Sequence, residues 1–197
     1  MSDSADVTNE VLRGEILTAA IGAFNAAGAR FTLNDVCRPL RISKKTIYTV
    51  FPGKEALLCA MIDEGFRRVK EEEELIYLDG TMSTAEKIRR IVIVIPESFR
   101  RLDFRKFASL RDGYPAVYAQ IVQHLETGWD RTLELFEKGM REGTLRRFPL
   151  PLVKAMIESS MEAFLLGKYP DDIEYEQALD LMMEIYMKGL LAREDMA

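Results

Sequence analysis

The segment from Thr32 to Leu58 constrains the fold of this chain more than any other. It reads TLNDVCRPLRISKKTIYTVFPGKEALL. Its first third has apolar residues at the i, i+3, i+4 and i+7 positions of a short helix with one buried face: Leu33, Val36, Cys37 and Leu40. Thr32 suits the N-cap position, and Asp35 three residues later can complete a capping box. We therefore expect a short amphipathic helix over 32–40.

A second short helix is predicted after a break at 41–42, with Ser43 as its N-cap. At about 100° per residue, Ile47 and Phe51 face the body of the protein. The opposite face is cationic, hydroxylated and aromatic: Lys45, Thr46, Tyr48 and Thr49. From residue 36 to residue 54 there are five basic residues and no acidic one. Two short helices with such an outer face on the second are typical of a helix-turn-helix unit that reads the DNA major groove.

The same segment resembles the N-terminal DNA-binding domain of the TetR family of bacterial transcriptional regulators. The resemblance rests on an ordered series: Val36-Cys37, Ile42-Ser43, Thr46-Ile47-Tyr48, Phe51, Lys54-Glu55 and Leu57-Leu58. The sequence departs from the family pattern at three positions. Arg41 stands where the family usually has a turn glycine, Leu40 replaces its usual alanine, and Val50 replaces a common histidine or tyrosine.

Helical periodicity along the rest of the chain predicts an all-α protein with about nine helices. The predicted helices cover 10–27, 32–40, 43–51, 54–78, a fifth from Ser83 through the apolar run 91–95, 103–111, 116–142, 151–168 and 173–191. The apolar run is a strand by propensity alone, but no second strand is available to pair with it. We expect a three-helix helix-turn-helix DNA-binding domain over 1–53 and a ligand-binding and dimerisation domain over 54–197.

The DNA-contacting residues follow from the outer face of the second short helix and its surroundings. For base edges or the adjacent backbone we predict Lys44, Lys45, Tyr48 and Thr49, and for phosphates Thr32, Ser43, Thr46 and Lys54. A single helix-turn-helix makes few contacts, so we expect a homodimer that binds two half-sites of a palindromic operator in double-stranded DNA.

The resemblance implies that the larger domain senses a small molecule in a cavity among helices 4 to 8. Its occupancy would change the separation of the two DNA-reading heads, and repression is the family default. The sequence offers an apolar and aromatic lining for an apolar or aromatic ligand: Phe66, Phe99, Phe107, Tyr118, Val122, Trp129 and Phe164. Each of these residues also has an ordinary interpretation as core.

The last two predicted helices are apolar over arcs wider than a one-sided surface helix buries. A copy of the same helices across a two-fold axis is the simplest second surface, and a larger intrachain core is the alternative. The predicted interface residues are Ala155, Ser159, Leu166, Leu179, Met183, Tyr186 and Leu190.

The charge distribution is compatible with a nucleic-acid partner although the net charge is −5. Residues 1–60 hold 7 basic and 6 acidic side chains, whereas residues 61–197 hold 20 and 26. The acidity therefore belongs to the larger domain, and a local basic patch can still bind phosphate. The two cysteines have no metal-ligand spacing, and we find no signal peptide and no apolar run of about 18 residues. We expect a cytoplasmic protein without a membrane partner.

Two other classes of protein remain as alternatives. A helical enzyme is disfavoured by a single histidine and by the lack of a Glu-x-x-His pair, a glycine-rich phosphate loop and a nucleophile elbow. We therefore expect no catalytic residue, no metal site and no cofactor. The second alternative is a helical interaction module that keeps the fold but has lost operator binding. Salt-dependent binding to DNA with a sequence preference separates a DNA reader from such a module.

Overall fold

The protein is described from a computed structural model, which covers residues 2–100 and 102–192. Within these ranges the secondary structure consists of α-helices and short 3-10 turns, with no β-strand and one isolated bridge between Leu145 and Leu191. The all-α prediction is confirmed. None of the described helices combines the length and the apolar character needed to cross a bilayer.

The helices follow one another with short connections. They are α1 Ser2–Ala27, α2 Leu33–Leu40, α3 Lys44–Val50, α4 Lys54–Leu78, α5 Thr84–Val92, α6 Ala108–Gly113, α7 Pro115–Glu126, α8 Asp130–Glu142, α9 Leu150–Leu165 and α10 Tyr175–Leu190. The 3-10 turns are Gly28–Arg30, Glu97–Phe99 and Phe104–Phe107. The apolar run 91–95 is not a strand: α5 ends at Val92, within the run, and Ile95 is buried after it.

The chain divides into two compact units. The first unit contains Met1–Gly65 and Leu102–Ile121, and the second contains Phe66–Arg101 and Val122–Ala197. The chain passes from one unit to the other inside α4, after Gly65, before Leu102, and inside α7, after Ile121. The boundary between domains that the sequence predicts after residue 53 stays a prediction.

The first unit is built around the packing of α1 against α2. Capping residues and apolar spacing form α2 and α3, and each short helix contributes one face to the core. Its largest fully buried side chains are Ile16, Phe24, Phe31, Ile47, Leu57, Leu58, Met61, Leu110 and Ile121. This core fixes the orientation of α3 from behind.

The second unit is built around α5, which packs against α8 and α10. Ser83 caps α5 through a bond from Glu86 N at 3.3 Å, and the Glu86 carboxylate accepts from Ser83 N at 2.8 Å. These two reciprocal bonds form a capping box at the start of α5. Its core includes Ile88, Ile91, Leu135, Phe136, Ile157 and Met183.

The prediction of one long helix over 116–142 is wrong. The chain breaks at 127–129, between α7 and α8, because Gly128 has φ +74° and ends the helical path. Trp129 closes the break by donating its indole N–H to Leu125 O at 2.7 Å. The segment predicted as one helix therefore forms two, α7 and α8, and this is the one place where the described helices differ in number from the nine predicted.

Two lysines satisfy carbonyl groups at this α7–α8 break. Lys70 Nζ donates to Gly128 O at 2.7 Å and to both carboxylate oxygens of Glu73. Lys154 Nζ donates to Glu126 O at 3.0 Å and to the Glu158 carboxylate. Glu73 is 8% exposed, and burial raises its pKa against the opposing effect of Lys70. These bonds satisfy carbonyls that have no partner within a helix.

Candidate nucleic-acid interface

The start of α2 is fixed by its first turn. Thr32 donates both its backbone N–H, at 2.8 Å, and its hydroxyl, at 2.7 Å, to one Asp35 carboxylate oxygen. These two bonds lower the pKa of Asp35, because they favour the ionised carboxylate. Both donors of Thr32 are thus engaged within the helix end. A phosphate that binds Thr32 must compete with Asp35 for them.

The turn between α2 and α3 passes through a left-handed residue. Arg41 has φ 56° and ψ 33°, and its N–H donates to Arg38 O at 3.3 Å. Ile42 N–H then donates to Cys37 O, also at 3.3 Å. These bonds close the C-terminal end of α2 and turn the chain toward Ser43.

Hydroxyl groups organise α3 from within. Ser43 Oγ accepts from Thr46 N at 3.2 Å, as predicted for an N-cap, and lies 3.0 Å from Thr46 Oγ1. Thr49 Oγ1 donates to Thr46 O at 2.7 Å. The hydroxyl groups of Ser43, Thr46 and Thr49 therefore already have hydrogen-bond partners at the start of α3 or within it.

The two faces of α3 are oriented as the sequence predicts. Ile47 and Phe51 are buried, with 0% and 2% exposure, whereas Tyr48 is 53% exposed. Lys44 and Lys45 are exposed beside it. The buried face anchors the helix to the core of the first unit, and the aromatic and cationic face is open to solvent.

Three cations of this region have no partner within the described part of the chain. Arg41, Lys44 and Lys45 make no ion pair and no side-chain hydrogen bond there. Arg38, by contrast, lies 3.4 Å from the Asp35 carboxylate. We call Arg41, Lys44 and Lys45 the unpaired cations. Their charge is uncompensated locally and is available to phosphate or base edges.

The geometry argues against the phosphate role predicted for Lys54. Its ammonium donates to Ala29 O at 2.6 Å and lies over the rings of Phe31, at 4.4 Å, and Tyr114, at 5.1 Å. All four residues belong to the first unit. This lysine thus ties the start of α4 to the 3-10 turn after α1 by a charge-assisted hydrogen bond and by cation–π contacts.

The residues predicted to line a ligand cavity are divided between the two units. In the first unit, Phe107 is buried against Phe24, with ring centroids 5.1 Å apart, which favours its interpretation as core; Tyr118 is half-buried. In the second unit, Phe99 is buried, and the half-buried residues are Phe66, Val122, Trp129 and Phe164. Phe66 stacks on His124 at 4.4 Å, and Phe164 meets the Tyr169 ring at 5.7 Å.

A groove of about 470 Å³ opens in the first unit, and none of the seven predicted residues lines it. Its walls are formed by 26–30, Lys106, Ser109 and 112–114. Ala29 N–H donates to Ser109 Oγ at 2.9 Å across one side of this groove. Over the described residues, no group of three or more His, Cys, Asp or Glu side chains is placed to hold a metal ion.

The interface predicted on α10 needs a correction. Leu179, Met183 and Leu190 are 2%, 0% and 6% exposed, because this side of α10 is buried within the second unit, where the helix packs on α5 and α9. Tyr186 is half-buried, and its hydroxyl lies 2.9 Å from that of Ser160. Of the other predicted residues, Ala155 and Ser159 are exposed and Leu166 is half-buried. The exposed large apolar side chains of these helices are instead Leu152, Met156, Leu181 and Ile185.

An all-helical protein with an exposed cationic α3, held by a left-handed turn and a buried apolar face, belongs to the helix-turn-helix class of DNA-binding proteins. Residues 16–61 match the model of bacterial regulatory proteins of the tetR family. This match covers α2, α3 and parts of α1 and α4.

Comparisons over the whole chain agree with that match. The chain is 21% identical over 182 residues to YvaF, an uncharacterized HTH-type transcriptional regulator of Bacillus subtilis (strain 168), covering 91% of this chain and 96% of that protein. Its fold is similar to a TetR-family transcriptional regulator from Agrobacterium tumefaciens, with a TM-score of 0.70, 15% identity and coverage of 93% and 100% of the two chains. A TetR/AcrR-family regulator from Thermobifida fusca gives a TM-score of 0.66 at 17% identity, with coverage of 90% and 97%.

Residues 16–61 thus carry the TetR-family helix-turn-helix, and the chain as a whole is similar to transcriptional regulators of that family. The resemblance stated from the sequence is thereby confirmed, as is the expectation that the protein is not an enzyme, since the family and its structural neighbours are regulators.

Proposed function

We propose that this regulator is a repressor that binds a palindromic operator as a homodimer and leaves it when a small molecule binds. The observation that carries the DNA-binding part is the outer face of α3. Lys44 and Lys45 are exposed without a partner in the described chain, and Tyr48 stands beside them. The opposite residue, Ile47, is fully buried and holds this face outward. One copy of α3 enters each of two successive major grooves.

The side chains of α3 have different roles in this proposal. Lys45 donates to guanine O6 and N7, while Lys44 and Tyr48 contact base edges or the adjacent backbone. Ser43, Thr46 and Thr49 contribute to phosphate or base contacts only by exchanging hydrogen bonds that they make within α3. Specificity therefore rests mainly on the lysines and the tyrosine, and the hydroxyls set the shape of the helix.

The DNA-binding proposal is tested by salt-dependent fluorescence anisotropy. The wild-type protein is titrated onto a duplex from the region flanking its own gene and onto a random-sequence duplex of equal length. We expect tighter binding to the first duplex and a linear fall of log K with log salt concentration. Equal affinity for both duplexes, or a slope near zero, contradicts the proposal and favours an interaction module without operator recognition.

Dimerisation is proposed through the exposed apolar side chains of α9 and α10. Leu152, Met156, Leu181 and Ile185 are between 41% and 69% exposed, and Ala155 and Ser159 lie on the same stretch of α9. The two helices that carry these side chains contact each other, and a second copy across a two-fold axis would cover the exposed apolar residues with the same residues.

A matched pair of variants tests this surface. Ile185→Asp places a charge on it, whereas Leu75→Asp places the same charge on α4 at an equally exposed side chain, 70% against 69%. We expect sedimentation velocity to show dimers for the wild type and for Leu75→Asp, and monomers for Ile185→Asp. If Ile185→Asp sediments as the wild type does, this surface is not the interface.

The ligand proposal concerns the half-buried residues of the second unit. Phe66, Val122, Trp129 and Phe164 suit an apolar or aromatic molecule. Release requires that the ligand bind the DNA-free conformation more tightly than the DNA-bound one. A panel of small aromatic compounds, screened by thermal shift and then for release of the labelled duplex, tests this requirement.

As a regulator of bacterial transcription, the protein acts in the cytoplasm.

A further inference from the structure

Arg41 occupies a backbone conformation that the chain otherwise gives to glycine. Among the described residues it is the one non-glycine residue with positive φ, at 56°. The four other positions with positive φ are Gly28, Gly128, Gly143 and Gly167. A side chain in this left-handed region costs free energy that glycine avoids. The cost persists in a native structure when something else depends on the residue.

Nothing within the described chain uses the Arg41 side chain. The residue is exposed, and its guanidinium has no ion pair, hydrogen bond or ring contact there. The bonds that shape the turn come from backbone groups, namely Arg41 N–H to Arg38 O and Ile42 N–H to Cys37 O. A glycine makes the same backbone bonds. The fold therefore requires the left-handed conformation but not the arginine.

One intrachain benefit remains for a cation at this position. Arg41 follows the last residue of α2, and a positive charge near a helix C-terminus is favourable. The α2 helix has only 8 residues, and the exposed Arg38 lies in its last turn. The benefit of a second exposed cation is small and screened by salt. This small benefit does not offset the free-energy cost of an arginine in the left-handed conformation.

The position of Arg41 in the sequence points outside the chain. It stands two residues before Ser43, the N-cap of α3, and three before Lys44. No acidic residue occurs from 36 to 54. In a helix-turn-helix the N-terminal part of the second helix approaches the base edges, so the turn before it lies near the phosphates that border the major groove.

We propose that Arg41 binds a DNA phosphate beside the major groove, and that the chain keeps a strained arginine in the turn for this contact. The inference rests on the proposed DNA-binding function and adds to it a residue outside α3. A phosphate contact carries no sequence information. Its loss therefore weakens binding to all duplexes alike.

Four variants separate the charge of Arg41 from its backbone strain. Arg41→Lys keeps both, Arg41→Gln keeps the strain without the charge, Arg41→Gly removes both, and Arg41→Asn removes the charge at a residue that tolerates the left-handed region. Each is measured by fluorescence anisotropy on the duplex flanking its own gene and on a random-sequence duplex, across a salt series. Thermal unfolding is measured in parallel.

We expect affinity to follow charge and stability to follow the backbone. Arg41→Gln and Arg41→Gly should each weaken both duplexes about tenfold at low salt and reduce the salt slope by about two, one phosphate for each subunit of a dimer. Arg41→Lys should stay within about twofold of the wild type. Arg41→Gly should raise the Tm by about 1–4 °C, and Arg41→Gln should not.

Two failures have different meanings. If the wild type binds with a steep salt slope and Arg41→Gln matches its affinity and slope, the Arg41 proposal is wrong while the regulator still binds DNA through α3. If the wild type itself shows no salt-dependent binding to either duplex, the proposed function is wrong and the Arg41 contact fails with it. An Arg41→Gly variant that is less stable than the wild type assigns the arginine to the end of α2 and also overturns the proposal.

Discussion

The chain uses its cations in two ways, and the two uses are found in different places. Among the described residues, five lysines donate to main-chain carbonyls at or just beyond the ends of α1, α4 and α7: Lys54, Lys70, Lys87, Lys106 and Lys154. Arg41, Lys44 and Lys45, at the turn and the start of α3, have no such acceptor there. The first group of cations stabilises helix ends by hydrogen bonds to carbonyl groups. The second group is exposed and, in our proposal, binds DNA.

The difference has an electrostatic basis. A carbonyl at a helix end has no intrahelical donor, so a lysine that reaches it gains a charge-assisted hydrogen bond. Lys87 is the clearest case, being 8% exposed and 2.6 Å from Tyr77 O. An exposed lysine without an acceptor contributes little to folding. We therefore expect removal of charge to affect stability in the first group and DNA affinity in the second.

The largest effect is expected for Lys45→Ala. Loss of a base-reading lysine costs about 1–3 kcal/mol per contact and relaxes the sequence preference, because discrimination falls with the contact. The free energy of unfolding should change by less than about 0.5 kcal/mol, as for other exposed positions. Competition of specific against random duplex measures the preference. If the preference is intact and both affinities fall equally, Lys45 contacts phosphate instead.

A loss of stability without a loss of DNA affinity is expected for Lys70→Ala. It leaves the buried Glu73 and the carbonyl of Gly128 without their donor, at a cost of about 1–3 kcal/mol. The control is Lys138→Ala, whose exposed ion pair with Glu142 is worth about 0.5 kcal/mol or less. Urea unfolding measures both. Equal effects of the two variants contradict the distinction between capping and surface lysines.

Lys54→Met distinguishes between the phosphate contact predicted from the sequence and the stabilising role that the structure indicates for this lysine. Loss of the bond to Ala29 O and of two cation–π contacts should destabilise the protein by about 1–2 kcal/mol. The salt slope of DNA binding should stay as in the wild type. A slope reduced by about two, with unchanged stability, restores the predicted phosphate contact.

The smallest effect is a pH dependence at Glu73. Burial raises its folded-state pKa above the ordinary value of 4.5, so the unfolded chain ionises first as the pH rises. Glu73 therefore lowers stability progressively as the pH rises from 4.5 through the folded-state pKa, and Glu73→Gln removes this loss. Urea unfolding between pH 4.5 and 7 should show a growing advantage of the variant.

Glu86→Gln is the matched control for the pH dependence. Hydrogen bonds from the Ser83 hydroxyl and N–H lower the pKa of Glu86, so its contribution is complete above the ordinary value and is lost as the pH falls through the folded-state pKa. The difference between wild type and Glu86→Gln should shrink on acidification. Parallel pH profiles for the Glu73 and Glu86 variants contradict the opposite shifts.

Local patterns predicted the DNA-reading region well. A cap, a short apolar spacing and a turn decide the orientation of α3 without help from distant residues, so Ile47 and Tyr48 were placed on the correct faces. The same pattern led to the family. The three departures from it included Arg41, which turned out to stand in the left-handed conformation.

Long-range contacts account for what the sequence did not predict. Lys54 meets Tyr114, 60 residues away, and no local pattern indicates that contact. On α10 both faces are apolar, and the choice between burying Met183 or Ile185 depends on where α5 packs. The break at Gly128 was missed because apolar residues continue at helical spacing on both sides of it. A glycine inside such a stripe is compatible with a continuous helix or with an end.

The left-handed conformation of Arg41 also bears on which substitutions selection accepts at this position. Every arginine codon becomes a glycine codon by substitution of its first base. In our proposal a single nucleotide substitution converts this gene into one whose product is more stable but binds its operator with lower affinity. Selection for stability alone would favour that step, so in our proposal the arginine at position 41 reflects selection for DNA affinity.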